Sequence, residues 1–153
     1  AGVLPMAATI ATPRVYDGFR GGAERAFLHG HTFYGNPLGA AVAREVLAIY
    51  RDEQVLAQVA RSASILEAAF ARLASLPGVL RVRTCGLVGA ADLGDTGYRG
   101  EIGWRVHAEA RARGAFLRPL GDTVYVTPPL NIDEPDLTRL LDILHDSLRT
   151  VLG

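Results

Sequence analysis

The chain has 153 residues, 49% of them hydrophobic, enough for one ordinary buried core. Its 16 basic and 16 acidic residues cancel and are interspersed, so there is no electrostatic footprint for nucleic acid or an anionic membrane. The single cysteine, Cys85, excludes an internal disulfide, and no apolar run approaches the ~20 residues of a membrane span.

Residues 3–12 are apolar with Pro5 near the start, which predicts a short buried strand. Alone, such a strand would leave both edges open, which points to a sheet contributed from upstream. Pro13 opens a helical turn through Val15, Tyr16 and Phe19, and Gly18, Gly21 and Gly22 break it into a loop. The run 29–37, His-Gly-His-Thr-Phe-Tyr-Gly-Asn-Pro, must also be a loop, because Gly30, Gly35 and Pro37 punctuate it. Asn36 followed by Pro37 then starts a helix: Asn caps free N–H groups, and Pro in the first turn loses no needed donor. A polar glycine loop entering a helix suits a phosphate or a carboxylate, although ordinary helix-entry loops of this composition are far more common. His29 and His31 stand two apart with no Cys or acidic cluster beside them, too few ligands for zinc, so no metal is predicted.

Residues 38–50 predict a helix with Val42, Val46 and Ile49 on one face, and small residues at Gly39, Ala40, Ala41 and Ala43 that would let another backbone approach. A second helix is predicted over 53–76, its stripe running Val55, Val59, Leu66, Phe70 and Leu73 until Pro77-Gly78 ends it. Residues 79–83 largely alternate apolar and charged, the pattern of a half-exposed strand, and 87–93 predict another after Gly86. Beyond the loop 95–100, a helix is predicted over 101–113, a short strand over 115–118, a turn at 119–122 and a strand over 123–127. Asp133 caps a last helix striped by Leu137, Leu140, Leu141, Leu144, Leu148 and Val151. From residue 38 onward this order predicts an α+β domain: a mostly antiparallel sheet covered by helices on one side. His107-Ala108-Glu109 echoes a deaminase pattern but lacks the Cys-x-x-Cys partner, so helix surface is the better reading. His145 reads as helix surface too, and Trp104 and Cys85 as packing residues.

The run 29–38, with Leu-Pro-Met-Ala-Ala-Thr upstream at 4–9, resembles the fold-type I, class III aminotransferases that use pyridoxal 5'-phosphate. The resemblance runs from residue 1 to about the C-terminus and covers about the last third of a family member. It implies an α/β fold overall, with residues 1–50 as the end of the large cofactor domain and the start of the interdomain helix. Residues 51–153 would then be the small C-terminal α+β domain. In the family, the threonine matching Thr32 contacts the cofactor phosphate held by the other subunit of a homodimer. The resemblance thus assigns Gly30, His31 and Thr32 to phosphate binding, although many relatives carry Pro where His31 stands. Hydroxyl and backbone N–H donors suit that task.

The run 118–125, Arg-Pro-Leu-Gly-Asp-Thr-Val-Tyr, followed by Pro128-Pro129-Leu130, is similar to the branch acting in biotin synthesis. That branch moves the amino group of S-adenosylmethionine onto 8-amino-7-oxononanoate. The resemblance gives Arg118 the substrate carboxylate, which its planar fork suits, and gives Tyr125 a place in the same pocket. The plain alternative is an Arg that merely ends a strand at the surface. All 16 Lys and Arg positions are Arg. The family needs a lysine amine to hold its cofactor as a Schiff base, and that lysine lies a few residues before the match to 1–7. A fragment inactive on its own is therefore expected, from a cytoplasmic enzyme with small-molecule substrates and no nucleic-acid or membrane partner. Two other readings stay open: another class III enzyme of ω-amino acid, 4-aminobutyrate or ornithine type, and a non-catalytic dimerisation domain.

Overall fold

The computed structural model describes residues 2–153; Ala1, where the family resemblance begins, lies outside the described residues. The chain divides into two compact units, the first ending at Glu53 and the second running from Gln54 to Gly153.

The first unit is built from local signals. Helix α1 (Pro13–Asp17) is capped by Thr12, whose Oγ1 accepts from the N–H of Val15. A single 3-10 turn, Ala23–Arg25, follows. Helix α2 (Pro37–Asp52) begins as its sequence predicts: the Asn36 side chain accepts from the N–H of Leu38, and Pro37 occupies the first turn. Among the described residues of this unit Gly39 alone is buried, with the Met6 sulfur 3.7 Å from where a Cβ would stand.

The strand expected over residues 3–12 is not formed. These residues are exposed, Ile10 by 94%, and the sheet among the described residues takes its three strands from elsewhere. An apolar run becomes a strand only where a neighbour accepts and donates its ladder bonds, and no described residue pairs with this one.

The second unit is the expected α+β layer pair. Helix α3 (Val55–Leu73) leads into β1 (Arg81–Cys85) and β2 (Val88–Asp92). Helix α4 (Ile102–Ala112) and β3 (Thr123–Val126) follow, and α5 (Glu134–Leu152) ends the chain. The sheet is antiparallel in the order β1-β2-β3, and Val82, Ala91 and Val124 share one row across it. Helices α3 and α4 lie on that face and α5 packs against both, burying Leu66, Phe70, Val106, Leu137, Leu144 and Leu148 almost completely. Gly89 belongs to this packing: a Cβ there would run into the Phe70 ring. Asp133 caps α5 by accepting from the N–H of Asp136 at 2.8 Å, and the leucine stripe faces inward.

Residues 115–118 do not form the predicted strand. Helix α4 ends in a left-handed Gly114 at φ +98°, and the N–H of Ala115 folds back to the Ala110 carbonyl at 2.9 Å. The chain then reaches the Leu120–Thr123 bridge without ladder bonds of its own, although the outer edge of β3 is open in the order β1-β2-β3.

Candidate functional site

The predicted site residues fall into two groups, one in each unit. Gly30, His31 and Thr32 lie in the exposed loop between the Ala23–Arg25 turn and α2. His31 folds this loop locally: its Nδ1 accepts from the N–H of Phe33 at 3.1 Å and its carbonyl from the N–H of Tyr34 at 3.0 Å. Gly30 faces the Tyr34 ring, which would stand 3.5 Å from a Cβ. Among the described residues nothing engages the Thr32 hydroxyl. A free hydroxyl on a glycine-bearing loop is a donor set that fits a phosphate. The α2 N-terminus contributes less than the sequence promises, since Asn36 already takes the Leu38 N–H.

Arg118 and Tyr125 flank a tight turn in the second unit. Leu120 and Thr123 exchange both backbone bonds, at 2.8 and 3.1 Å, around the two-residue loop Gly121-Asp122. Counted back two residues on each side from that bridge, Arg118 falls opposite Tyr125, with no ladder bond between them. Both side chains line one open cleft of about 200 Å³, together with Phe116, Thr127, Pro128 and Leu140. Arg118 is exposed and has no acidic partner among the described residues, while Tyr125 is half-buried. The cleft therefore offers one unpaired guanidinium beside a phenol and an apolar wall, the chemistry of a carboxylate on a hydrocarbon chain.

The turn is locked from beneath. Gly121 sits at φ +60°, and any Cβ on it would overlap the Gly97 carbonyl. Gly103, in the first turn of α4, lets the helix approach the Gly121 carbonyl directly. Asp122 is 3% exposed: its N–H donates to the Gly97 carbonyl, its own carbonyl accepts from the N–H of Leu93, and Oδ2 accepts from the Thr96 hydroxyl. Its Oδ1 has no hydrogen-bond partner among the described residues. The loop 94–100 thus wraps the Asp122 carboxylate, with Gly94 and Gly100 leaving room for it.

On the sheet face away from the helices, Tyr125 aligns with Ala90 and Arg83, and Thr123 with Asp92 and Arg81. Asp92 joins all three strands. Its Oδ2 accepts from Arg81 Nε at 2.9 Å and Arg83 Nη1 at 2.8 Å, and its Oδ1 accepts from the Thr123 hydroxyl at 2.8 Å. The Arg83 bond, helped by Thr123 and Arg81 against partial burial, holds the Asp92 carboxyl down to about 2. Sequence reasoning missed this network, although alternating Arg81 and Arg83 announced a charged outer face. No group of three or more metal-ligating side chains occurs among the described residues, and none of their helices is long and apolar enough to cross a membrane.

A family model described as aminotransferase class-III matches residues 1–148. The chain is 39% identical, over its whole length, to the adenosylmethionine-8-amino-7-oxononanoate aminotransferase of Geobacter sulfurreducens, of which it spans 36%. A putrescine–pyruvate aminotransferase of Pseudomonas aeruginosa is 30% identical over 97% of the chain and is spanned to 34%. The crystal structure of the Methanocaldococcus jannaschii adenosylmethionine-8-amino-7-oxononanoate aminotransferase superposes on 97% of the chain with a TM-score of 0.89 at 28% identity, 36% of that protein being covered. The chain thus has the fold of the corresponding third of these enzymes, and it belongs to the class III aminotransferase family.

Proposed function

We propose that this chain is the C-terminal part of a pyridoxal-phosphate-dependent aminotransferase. In this reading the enzyme transfers the amino group of S-adenosylmethionine to 8-amino-7-oxononanoate in the cytoplasm, as a homodimer. The observation that carries it is the placement of Arg118 across the Gly121-Asp122 turn from Tyr125, in one cleft, in a chain 39% identical to an enzyme named for that substrate. Arg118 binds the substrate carboxylate, Tyr125 lines the hydrocarbon next to it, and Gly30, His31 and Thr32 hold the phosphate of the cofactor carried by the partner subunit. Residues 1–50 belong to the large domain and 51–153 to the small one. Pyridoxal phosphate, when bound, supplies the carbonyl carbon that carries the amino group between donor and acceptor. The 153 residues contain no lysine, so the cofactor-holding amine belongs to another part of the protein and this chain does not transaminate alone.

In the complete holoenzyme, Arg118→Ala removes a charge-assisted hydrogen-bond pair of about 1.5–3 kcal/mol, or about 10- to 200-fold in KM for 8-amino-7-oxononanoate. Cofactor absorbance stays unchanged. Unaltered KM would end the carboxylate role. A second reading, a class III enzyme acting on diamines, draws on the putrescine–pyruvate relative. An amino-donor screen separates the two: S-adenosylmethionine supports turnover in the first, putrescine in the second.

A further inference from the structure

His107 lies outside every residue that the resemblance selects, yet it ties α4 to the segment carrying Arg118. Its Nδ1 stands 2.5 Å from the Leu117 carbonyl oxygen. A carbonyl only accepts, so Nδ1 carries the proton and donates. Among the described residues this carbonyl has no other hydrogen-bond partner. The bond matters because residues 115–119 belong to no ladder. The Leu117 peptide plane leads directly into the Arg118 Cα, so fixing its oxygen fixes the direction in which Arg118 leaves the backbone. The Leu117 side chain is buried, at 4% exposure.

The imidazole is also held in place. Trp104 and Phe116 meet it edge-on, with ring centroids 5.5 and 5.1 Å away and interplanar angles of 76° and 90°. Phe116 in turn lines the cleft that Arg118 enters. Helix, imidazole, peptide plane and guanidinium therefore form one short chain of contacts.

We propose that His107 is a positioning residue for Arg118: by holding the Leu117 carbonyl, it aims the guanidinium at the substrate carboxylate. The inference rests on the reading of Arg118 as the carboxylate-binding group. Asparagine places an amide N–H close to where His Nδ1 stands, and leucine places none, so the pair His107→Asn and His107→Leu isolates the hydrogen bond.

In the complete holoenzyme, His107→Leu raises KM for 8-amino-7-oxononanoate about tenfold, as expected for a misaimed group, while His107→Asn stays within about threefold of wild type. The carboxamide analogue of the substrate, which gives Arg118 no anion, shows the same KM in all three proteins. Cofactor absorbance is unchanged throughout. Equal KM values in His107→Leu and wild type, or an equal rise in both variants, overturn the proposal. If Arg118→Ala also leaves KM unaltered, the carboxylate reading itself has failed; if Arg118→Ala raises it and His107→Leu does not, only the positioning role has. Should the leucine variant fail to fold, ¹⁵N shifts of the wild-type His107 ring decide: a protonated Nδ1 at neutral pH supports the proposal, and an unprotonated Nδ1 overturns it.

Discussion

The two units make their order by different means. In the second, helices and sheet close over a shared core, and Leu66, Val106, Leu137, Leu144 and Leu148 are wholly buried. In the first, Gly39 is the single buried residue among those described, and Ile10, Phe27, Leu28, Phe33 and Leu38 all stand largely exposed. The first unit is nevertheless just as apolar to read. Its two helices begin at side-chain caps: Thr12 on α1, Asn36 on α2. Apolar periodicity reports what a segment is able to bury; burial itself depends on a partner surface, which only the second unit supplies from within.

Matched substitutions, one in each unit, test that contrast. Phe70→Ala empties the centre of the helix–sheet contact, opposite Gly89, and costs about 3–5 kcal/mol. Ile10→Ala removes a side chain that is 94% exposed and shifts stability by less than about 0.5 kcal/mol. Urea unfolding of the 153-residue chain, followed by circular dichroism, reads both. A similar loss in the two variants would mean that Ile10 is buried in solution and that the first unit has a core of its own.

The second pair is a pair of glycines at nearly the same backbone angle. Gly121 at φ +60° abuts the Gly97 carbonyl, whereas Gly35 at φ +68° has nothing within 4 Å of a Cβ. Alanine at Gly35 costs only the left-handed conformation, about 1 kcal/mol. Alanine at Gly121 must also push the loop 94–100 aside, for a total of about 2–4 kcal/mol, and it disturbs the turn between Arg118 and Tyr125. Thermal melting of the two variants gives the difference, and equal Tm values would show that the turn is not packed against Gly97.

That turn also shows where the sequence stops being informative. Helices α2 and α5 were legible because cap and stripe lie within one segment, from Asn36-Pro37 and from Asp133, and α3 from its stripe alone, Val55 to Leu73. Arg118 and Tyr125, which line one cleft, were singled out by the resemblance rather than by local pattern. Asp122 was not legible. In a Pro-Leu-Gly-Asp turn an Asp reads as solvent-facing, and what buries it is Thr96 with Gly94 and Gly100, more than twenty residues away. The bond from His107 to Leu117 and the Asp92 network share that character: each joins elements whose approach is decided by the packed core, not by local pattern. The strand expected over 3–12 failed for the converse reason, since its apolar run promised a ladder that no described neighbour provides.

The smallest expected contrast is electrostatic. Asp92, 13% exposed, takes two guanidinium groups and a hydroxyl, and its carboxyl is held down to about 2 from an ordinary value of 3.8. A carboxyl lowered by folding contributes stability that is fully present above its unfolded value and is lost as pH falls through the folded one. The window therefore runs from about pH 4 down to about pH 2. Arg81 and Arg83 are themselves 70% and 49% exposed, so solvent screening reduces the contribution to about 1 kcal/mol at neutral pH. Asp92→Asn should remove that amount and flatten the decline between these pH values. Asp52, paired with Arg51 on the first unit, is 63% exposed, and Asp52→Asn should leave the unfolding midpoint unmoved. Unfolding midpoints measured at pH 7, 4 and 2.5 separate the cases. If Asp92→Asn follows wild type across that range, the carboxylate does not join the three strands in solution. If Asp52→Asn departs from wild type, the first unit owes more to its surface charges than to its caps.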